Sequence, residues 1–485
     1  MTRRFVVAML TALCAVVSLS ARQTPDRSHP PALGPAPVLK LPAIEKRQLS
    51  NGLPVWIVEL HKVPVVQVNL VVFSGSADDP PAKFGVANLT AAMLDEGAGT
   101  RSSLQIADAV DFLGADLSTT SGSDSSAVRL HVPVARLADA LSIMADVALR
   151  PTFPKDELER LRRERLTTLI EARDDPGTIA SLAFSRTLYG SAHRYGTAQL
   201  GTAATIAALA DGDLRAFYAS AFRPDNAALV VVGDVVPDAV TAMLEGAFGG
   251  WKPSGAAATA SKLPAVQQPV KRAVYLVDKP GAAQSEIRIG WIGVARSTPD
   301  YFPIEVMNTM LGGSFTSRLN MNLREKHGYT YGAGSGFDMR ASAGPFGAGA
   351  AVQTDKTAES LKEFFNELNG MLQPIPADEL TRAKNYVSLR FPGGFETTGD
   401  ISRRLEEELT YHLPDDYFSK YVPNIEAVTG ADVHRVAAKY IQPARFAVVV
   451  VGDRKAIEPG VRALNLGPIN VLTVNDIFGA APDLK

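Results

Sequence analysis

A single cysteine, Cys14, is all the thiol in 485 residues. One cysteine excludes a disulfide framework and any thiolate zinc site. Histidine is scarce too, with seven in all, so a histidine-based metal site is easy to check. They are His29, His61, His131, His193, His327, His412 and His434, and no two are spaced i, i+4. Neither sign of charge dominates: 49 basic residues face 51 acidic ones, for a net charge of −2. That balance points away from nucleic-acid binding and from a basic membrane-surface protein. No Gly-x-Ser-x-Gly nucleophile elbow and no P-loop occurs. Beyond the first 21 residues no apolar run reaches membrane length. What remains is globular in composition, 46% hydrophobic and 21% charged, with chain enough for about two to four domains.

Residues 1–21, MTRRFVVAMLTALCAVVSLSA, have a positive start at Arg3 and Arg4, an apolar stretch from Phe5 to Val17, and small residues Ser18, Ser20 and Ala21. This is the pattern of a secretory signal peptide. Cleavage near Ala21 removes two arginines, no acids and Cys14, taking the net charge from −2 to −4. Thr11-Ala12-Leu13 is a poor lipobox for lipidation of Cys14; an uncleaved anchor helix is the other reading. Residues 22–42, rich in proline and polar residues, read as a flexible lead-in. Bacterial export to the periplasm, with no stable membrane span after cleavage, is the expectation.

The strongest organisational signal is an internal repeat. Residues 222–234 read FRPDNAALVVVGD and residues 441–453 read IQPARFAVVVVGD, an offset of 219. Met93-Leu94 and Met310-Leu311 repeat at an offset of 217. These offsets imply a duplicated domain of about 220 residues, with copies at 43–251 and 271–485. The small, polar and proline-containing segment 252–270 joins them. Within the copies, Val55–Glu59, Val65–Phe73, Arg129–Pro133, Val274–Val277 and Ile287–Ile292 read as strands. Phe84 to Asp95, Lys155 to Arg173 and Tyr301 to Leu311 read as helices. Neighbouring strands with short turns predict an α+β fold: two homologous domains, each a mainly antiparallel sheet with helices on one face.

Four stretches now become specific: LSNGLPVWIVELHKVPVVQVNLVVFSGSADD (49–79), LYGSAHRYGTAQLGT (188–202), VYLVDKPGAAQSEIRIG (274–290) and LGGSFTSRLNMNLREKHGYTYG (311–332). In order, and together with the duplication, they resemble the pitrilysin/insulinase family of zinc metallopeptidases, which includes the mitochondrial processing peptidases. The resemblance implies a clamshell half and a His-x-x-Glu-His motif on the first long helix. Two imidazoles four apart share a helical face and converge on zinc, while the glutamate activates the bound water. A glutamate from a later helix completes such a site.

This chain departs from the pattern at its centre. The matching helix reads GVANLTAAMLDEGAGT (85–100), and the motif positions fall on Asn88, Ala91 and Ala92. Both histidines and the general base are missing, so no metal is expected in this chain alone. On the later helix Glu164 and Glu171 are seven apart, and the resemblance implies Glu171 as the third-ligand position; an ordinary charge on a solvated helix is the other reading. If Glu171 sits there, Asn88→His, Ala91→Glu and Ala92→His together create zinc affinity.

The second half keeps Arg324 and Tyr331, seven apart. By resemblance the arginine holds the substrate backbone and the tyrosine hydroxyl stabilises the oxyanion. Such a donor is worth roughly 2.7–4 kcal/mol in a water-poor site, and a guanidinium is a fixed fork of donors. The bland alternative makes Arg324 a helix-end partner and Tyr331 a half-buried strand aromatic. Tyr329, placed two earlier on the same strand face, is the competing tyrosine. Gly312 and Gly313 read either as a substrate-lining loop, as in non-catalytic processing-peptidase subunits, or as a helix C-terminal cap.

The expectation is therefore a zinc-lacking subunit of an exported heteromeric metallopeptidase, inactive alone. A homologous partner would carry the zinc, and this chain would contribute Arg324 and Tyr331 for cleavage of peptides or unfolded segments. The alternative is a non-enzymatic assembly or peptide-binding protein of the same descent.

Overall fold

The computed structural model describes Ser28, residues 42–253 and residues 263–482. The predicted signal peptide and most of the lead-in lie outside the described residues, as do His29 and residues 254–262 of the linker. Contacts divide the chain into Met1–Pro37 and Val38–Lys485. Only Ser28 is described in the first unit, and every element among the described residues lies in the second.

Two six-stranded sheets organise Val38–Lys485. The first has β1 (Glu45–Gln48), β2 (Pro54–Glu59), β3 (Val65–Val72), β4 (Asp116–Ser121), β5 (Ser126–Pro133) and β6 (Ala227–Gly233), in the order β1-β2-β6-β3-β5-β4. The second has β7 (Ala273–Asp278), β8 (Gln284–Ile292), β9 (Thr330–Phe337), β10 (Pro345–Gln353), β11 (Ala447–Gly452) and β12 (Ile469–Leu472), in the order β9-β10-β8-β11-β7-β12. Both are mainly antiparallel. The repeat is visible in the pairing: β6 lies parallel to β2 and antiparallel to β3, and β11 lies parallel to β7 and antiparallel to β8.

Six helices carry or support the candidate site residues: α1 (Val86–Ala92), α2 (Lys155–Ala172), α3 (Pro176–Tyr189), α4 (Tyr301–Asn308), α5 (Ala377–Arg390) and α6 (Thr398–Thr410). No helix among the described residues is long and apolar enough to cross a membrane.

The helices do not keep to one face of each sheet, which corrects the one-face expectation. The valine runs show why. Every residue of β6 and of β11 is buried, as befits strands covered on both faces. Leu229 and Val231 of β6 face their own half's core, while Val230 and Val232 pack against Ile401 and Leu405 of α6. In the second half, Val448 and Val450 face their own core, and Val449 and Val451 pack with Ile179, Ala183 and Phe184 of α3. Each half thus lends one helix to the outer face of the other's sheet. Polar contacts follow the exchange. Arg129 of β5 forks onto Glu406 of α6, its Nε donating to Oε1 at 2.9 Å and its Nη2 to Oε2 at 2.6 Å. The Tyr189 hydroxyl of α3 donates to the Ala343 carbonyl at 3.0 Å.

Candidate functional site

The helix bearing the degenerate motif is short and firmly anchored. Its expected span, Phe84 to Asp95, contracts to Val86–Ala92. Gly85 just before it has φ +98°, and a β-carbon there would lie 2.4 Å from the Leu200 carbonyl oxygen, so only glycine fits this crossing. Asp79 supplies the missing cap, accepting from the Gly85 amide at 2.6 Å and the Ala87 amide at 2.9 Å. Arg194 Nε donates to the same carboxylate at 2.8 Å, both side chains being almost wholly buried. Burial raises the Asp79 carboxyl and lowers the Arg194 guanidinium, and their mutual contact opposes both shifts. The LYGSAHRYGTAQLGT segment therefore serves to fix α1.

At the motif positions the chain has built an arginine site. Arg165 of α2 donates from Nη1 to Asn88 Oδ1 at 2.6 Å and from Nη2 to the Asn88 carbonyl at 3.1 Å. Arg165 is 8% exposed. Desolvation lowers it to about 10, so it keeps its charge at neutral pH, and no carboxylate among the described residues is bonded to it. Ala91 is buried and Ala92 packs on the core.

These residues do not fit a zinc ion. The one amide oxygen is taken by a guanidinium, the two alanines offer no donor, and a buried cation repels a second one. Of the two readings of Glu171, the charge on a solvated helix fits and the third-ligand position does not: Glu171 is exposed, as is Glu164. Six residues beyond Arg165, it points about 120° away around the helix. Asn88→His, Ala91→Glu and Ala92→His would leave Arg165 in place and so would not rebuild the site. No group of three or more His, Cys, Asp or Glu side chains able to hold a metal occurs among the described residues. His193 is sandwiched by Tyr189 and Tyr195, and His61 bridges Asp234 and Glu59 at the surface.

The second-half residues are left outward. Arg324 lies in a wide helical turn, Met321–Lys326. Its guanidinium stands 4.7 Å over the Phe315 ring, and its Nε lies 3.3 Å from Glu325 Oε1. Tyr331 is 92% exposed, and its hydroxyl makes no hydrogen bond among the described residues. It stands at the irregularity of register between Thr330 and Ala333, on a strand at the edge of its sheet. That excludes the half-buried aromatic. Tyr329 precedes the strand, is partly buried and stacks on His327 at 4.9 Å, so it does not share Tyr331's surroundings. Phe315 and Met321, unnoticed in the sequence, are exposed apolar side chains, and Phe315 is the one under the Arg324 guanidinium.

Gly312 and Gly313 end a second wide turn, Thr309–Gly313. A β-carbon on Gly312 would lie 2.2 Å from the Ser335 amide, so this glycine permits a turn to close on β9. Gly313 packs against Asn308 and lines a cavity with Glu305 and Arg404. On the outer face of β9 and β10, beside α3, a groove of about 590 Å³ is floored by Gly334, Gly336, Gly347, Gly349 and Ala351.

Two duplicated, helix-exchanging α+β halves, with a degenerate motif helix in one, define the fold of a metallopeptidase clamshell half. The comparisons agree. The model of insulinase (peptidase family M16) matches residues 55–198, and that of the peptidase M16 inactive domain matches residues 209–387. An uncharacterized zinc protease of Streptomyces coelicolor is 26% identical over 422 residues, spanning 85% of this chain and 90% of that one. One of Mycobacterium tuberculosis is 25% identical over 447 residues, spanning 90% and 99%. The crystal structure of a peptidase M16 inactive domain from Pseudomonas fluorescens superposes with a TM-score of 0.78 at 28% identity, covering 84% of this chain and 98% of that one. A protease from Helicobacter pylori shares the fold, with a TM-score of 0.77 at 20% identity over 85% and 100% of the two chains. The chain belongs to the insulinase family, peptidase family M16.

Proposed function

We propose that this chain is the zinc-lacking subunit of an exported, periplasmic heteromeric metallopeptidase. A homologous partner carries His-x-x-Glu-His and the zinc. This chain binds no metal by itself and contributes Arg324 and Tyr331, with Gly312 and Gly313 shaping their surroundings. The substrate is a peptide or an unfolded segment. One contrast supports this reading above all: the motif helix has its polar groups consumed internally by Arg165, whereas the Tyr331 hydroxyl is held out to solvent. An exposed phenol on an edge strand, with an exposed aromatic carrying the Arg324 guanidinium on the preceding turn, is ready to meet another molecule.

In the complex, a zinc ion held by the partner would supply Lewis-acid polarisation of the scissile carbonyl and an activated water. The Tyr331 hydroxyl donates to the oxygen that becomes negative, and Arg324 holds a substrate carbonyl. The exposed Phe315 and Met321 also suit a binding role without chemistry, which is the second reading.

The test is to co-express the mature chain with a homologue bearing the intact motif and to assay peptide cleavage. Chelator-sensitive cleavage is expected only from the pair. Tyr331→Phe should lower kcat by about 10²- to 10³-fold, and Arg324→Ala should act mainly on KM. Chelator-sensitive hydrolysis by the lone chain, or full activity of the doubly substituted pair, overturns the proposal. A stable pair without cleavage supports the binding role.

A further inference from the structure

A second cavity, of about 540 Å³, opens in the second half between α4, α5 and the Phe391–Phe395 turn that leads into α6. Neither Arg324 nor Tyr331 lines it. Its walls combine three kinds of group. Glu305 of α4 presents a carboxyl that makes no hydrogen bond and no close ion pair among the described residues. Arg404 and Arg390 supply two guanidiniums; Arg404 lies 5.7 Å over the Phe391 ring and donates from Nη1 to Glu407 Oε2 at 3.3 Å, leaving its other donors for a ligand, and Arg390 bonds the Tyr386 hydroxyl. Tyr421 and Phe391, stacked with centroids 4.0 Å apart, supply a flat apolar wall.

Glu305 is the anomaly. Glu305 is partly buried and open to the cavity, and its carboxyl has no protein partner among the described residues, so water or a bound donor must satisfy it. Desolvation dominates at Glu305 and raises it to about 6; Arg296 and Arg404 oppose the shift and Glu407 adds to it. A carboxyl kept unpaired in the wall of a roomy cavity is a group waiting for a donor. A simple cation would meet repulsion from the two arginines, and a simple anion would meet Glu305. A molecule with both charges satisfies both ends. The volume lies within the range of small-molecule pockets.

We propose that this cavity binds a small zwitterion of the amino-acid or dipeptide class, its ammonium on Glu305, its carboxylate on Arg390 and Arg404, and its side chain against Tyr421 and Phe391. With the peptidase proposal this site shares only Gly313, which lies on its wall. It requires no partner subunit and no cleavage.

The test is calorimetric titration of the full mature chain with the dipeptide alanyl-phenylalanine, its N-acetyl form and its C-terminal amide. Saturable binding of the free dipeptide is expected, with each capped form at least about tenfold weaker, or about 1.4 kcal/mol. Glu305→Gln should weaken the free dipeptide at least about tenfold and leave the N-acetyl form unchanged. Arg390→Gln, at an exposed position on the rim, should weaken the free dipeptide but not its amide. It decides the matter if Glu305→Gln fails to fold. Absence of saturation up to about 10 mM, where binding free energy falls below that of a millimolar ligand, overturns the proposal. Equal affinity for free and capped forms also overturns it, as does unchanged affinity in the rim variant.

Discussion

The two halves repeat one architecture and treat their polar side chains in opposite ways. In the first half, buried Arg165 spends two donors on the partly buried Asn88, and Ala91 and Ala92 fill space. In the second, Arg324 and Tyr331 stand on an edge strand and the turn before it, with capacity to spare. The contrast extends to the exchanged helices. The face of α3 on the second sheet is apolar and aromatic, with Ile179, Ala183 and Phe184. On the first sheet, α6 brings Ile401 and Leu405 but also Glu408, which is 1% exposed with neither carboxylate oxygen bonded. Duplication fixed where helices go, not what their buried faces carry. A chemically spent half and a chemically open half can share one fold because each helix needs only enough apolar area to dock.

Breaking the spent half should have the largest effect. Asn88→Ala removes the side chain that bonds Arg165 and leaves a buried cation poorly satisfied, so we expect a loss of about 3 kcal/mol in denaturant unfolding. Asn88→Ala with Arg165→Met should recover most of that loss, since the uncompensated charge is gone. Equal losses in the single and double variants would mean that Arg165 is not held by Asn88.

Removing the odd charge from the exchanged helix has a smaller effect of opposite sign. Desolvation raises Glu408 to about 7, with Lys46 lowering it and Asp415 raising it. An acid whose folded value exceeds its unfolded one penalises folding as pH climbs; the penalty is absent below the unfolded value and complete above about pH 7. Glu408→Gln should therefore raise stability by about 2 kcal/mol at pH 8, and the gain should vanish toward pH 4. Thermal unfolding across that window checks it, and a pH-independent difference would contradict it.

The open half should show the least effect on stability. Tyr331→Phe changes a side chain that touches almost nothing, so unfolding should shift by less than about 0.5 kcal/mol. Arg324→Ala loses one exposed cation–π contact, about 0.5–1 kcal/mol. Larger losses would make these residues structural and remove the reason to assign them to chemistry.

Much of the fold was legible in the chain. The Val-Gly-Asp endings announced the repeat, and the strands read at 55–59, 65–73 and 287–292 from apolar alternation and runs correspond to those at 54–59, 65–72 and 284–292. The helix exchange was not legible, because an apolar stripe records that a face is buried and not which sheet covers it. The valine runs of β6 and β11 did hold a hint, since strands buried on both faces need a second cover. Arg165 left a trace as well: it interrupts the apolar spacing of Leu161 and Leu169, an arginine where a core residue belongs. Glu408 leaves the same trace after Ile401 and Leu405. Glu305 left none, because its cavity is formed by segments far apart in the chain, from Glu305 to Tyr421.

By itself the sequence determined the duplicated α+β halves and the loss of the zinc-binding side chains, because periodicity and residue identity are local properties. Only the tertiary structure decided that Arg165 turns inward to Asn88, that Glu171 turns outward, and that each half covers the other's sheet. Those outcomes depend on which surfaces meet when the chain closes. Burial then sets the energy of every charge it encloses, and no stretch of sequence carries that information alone.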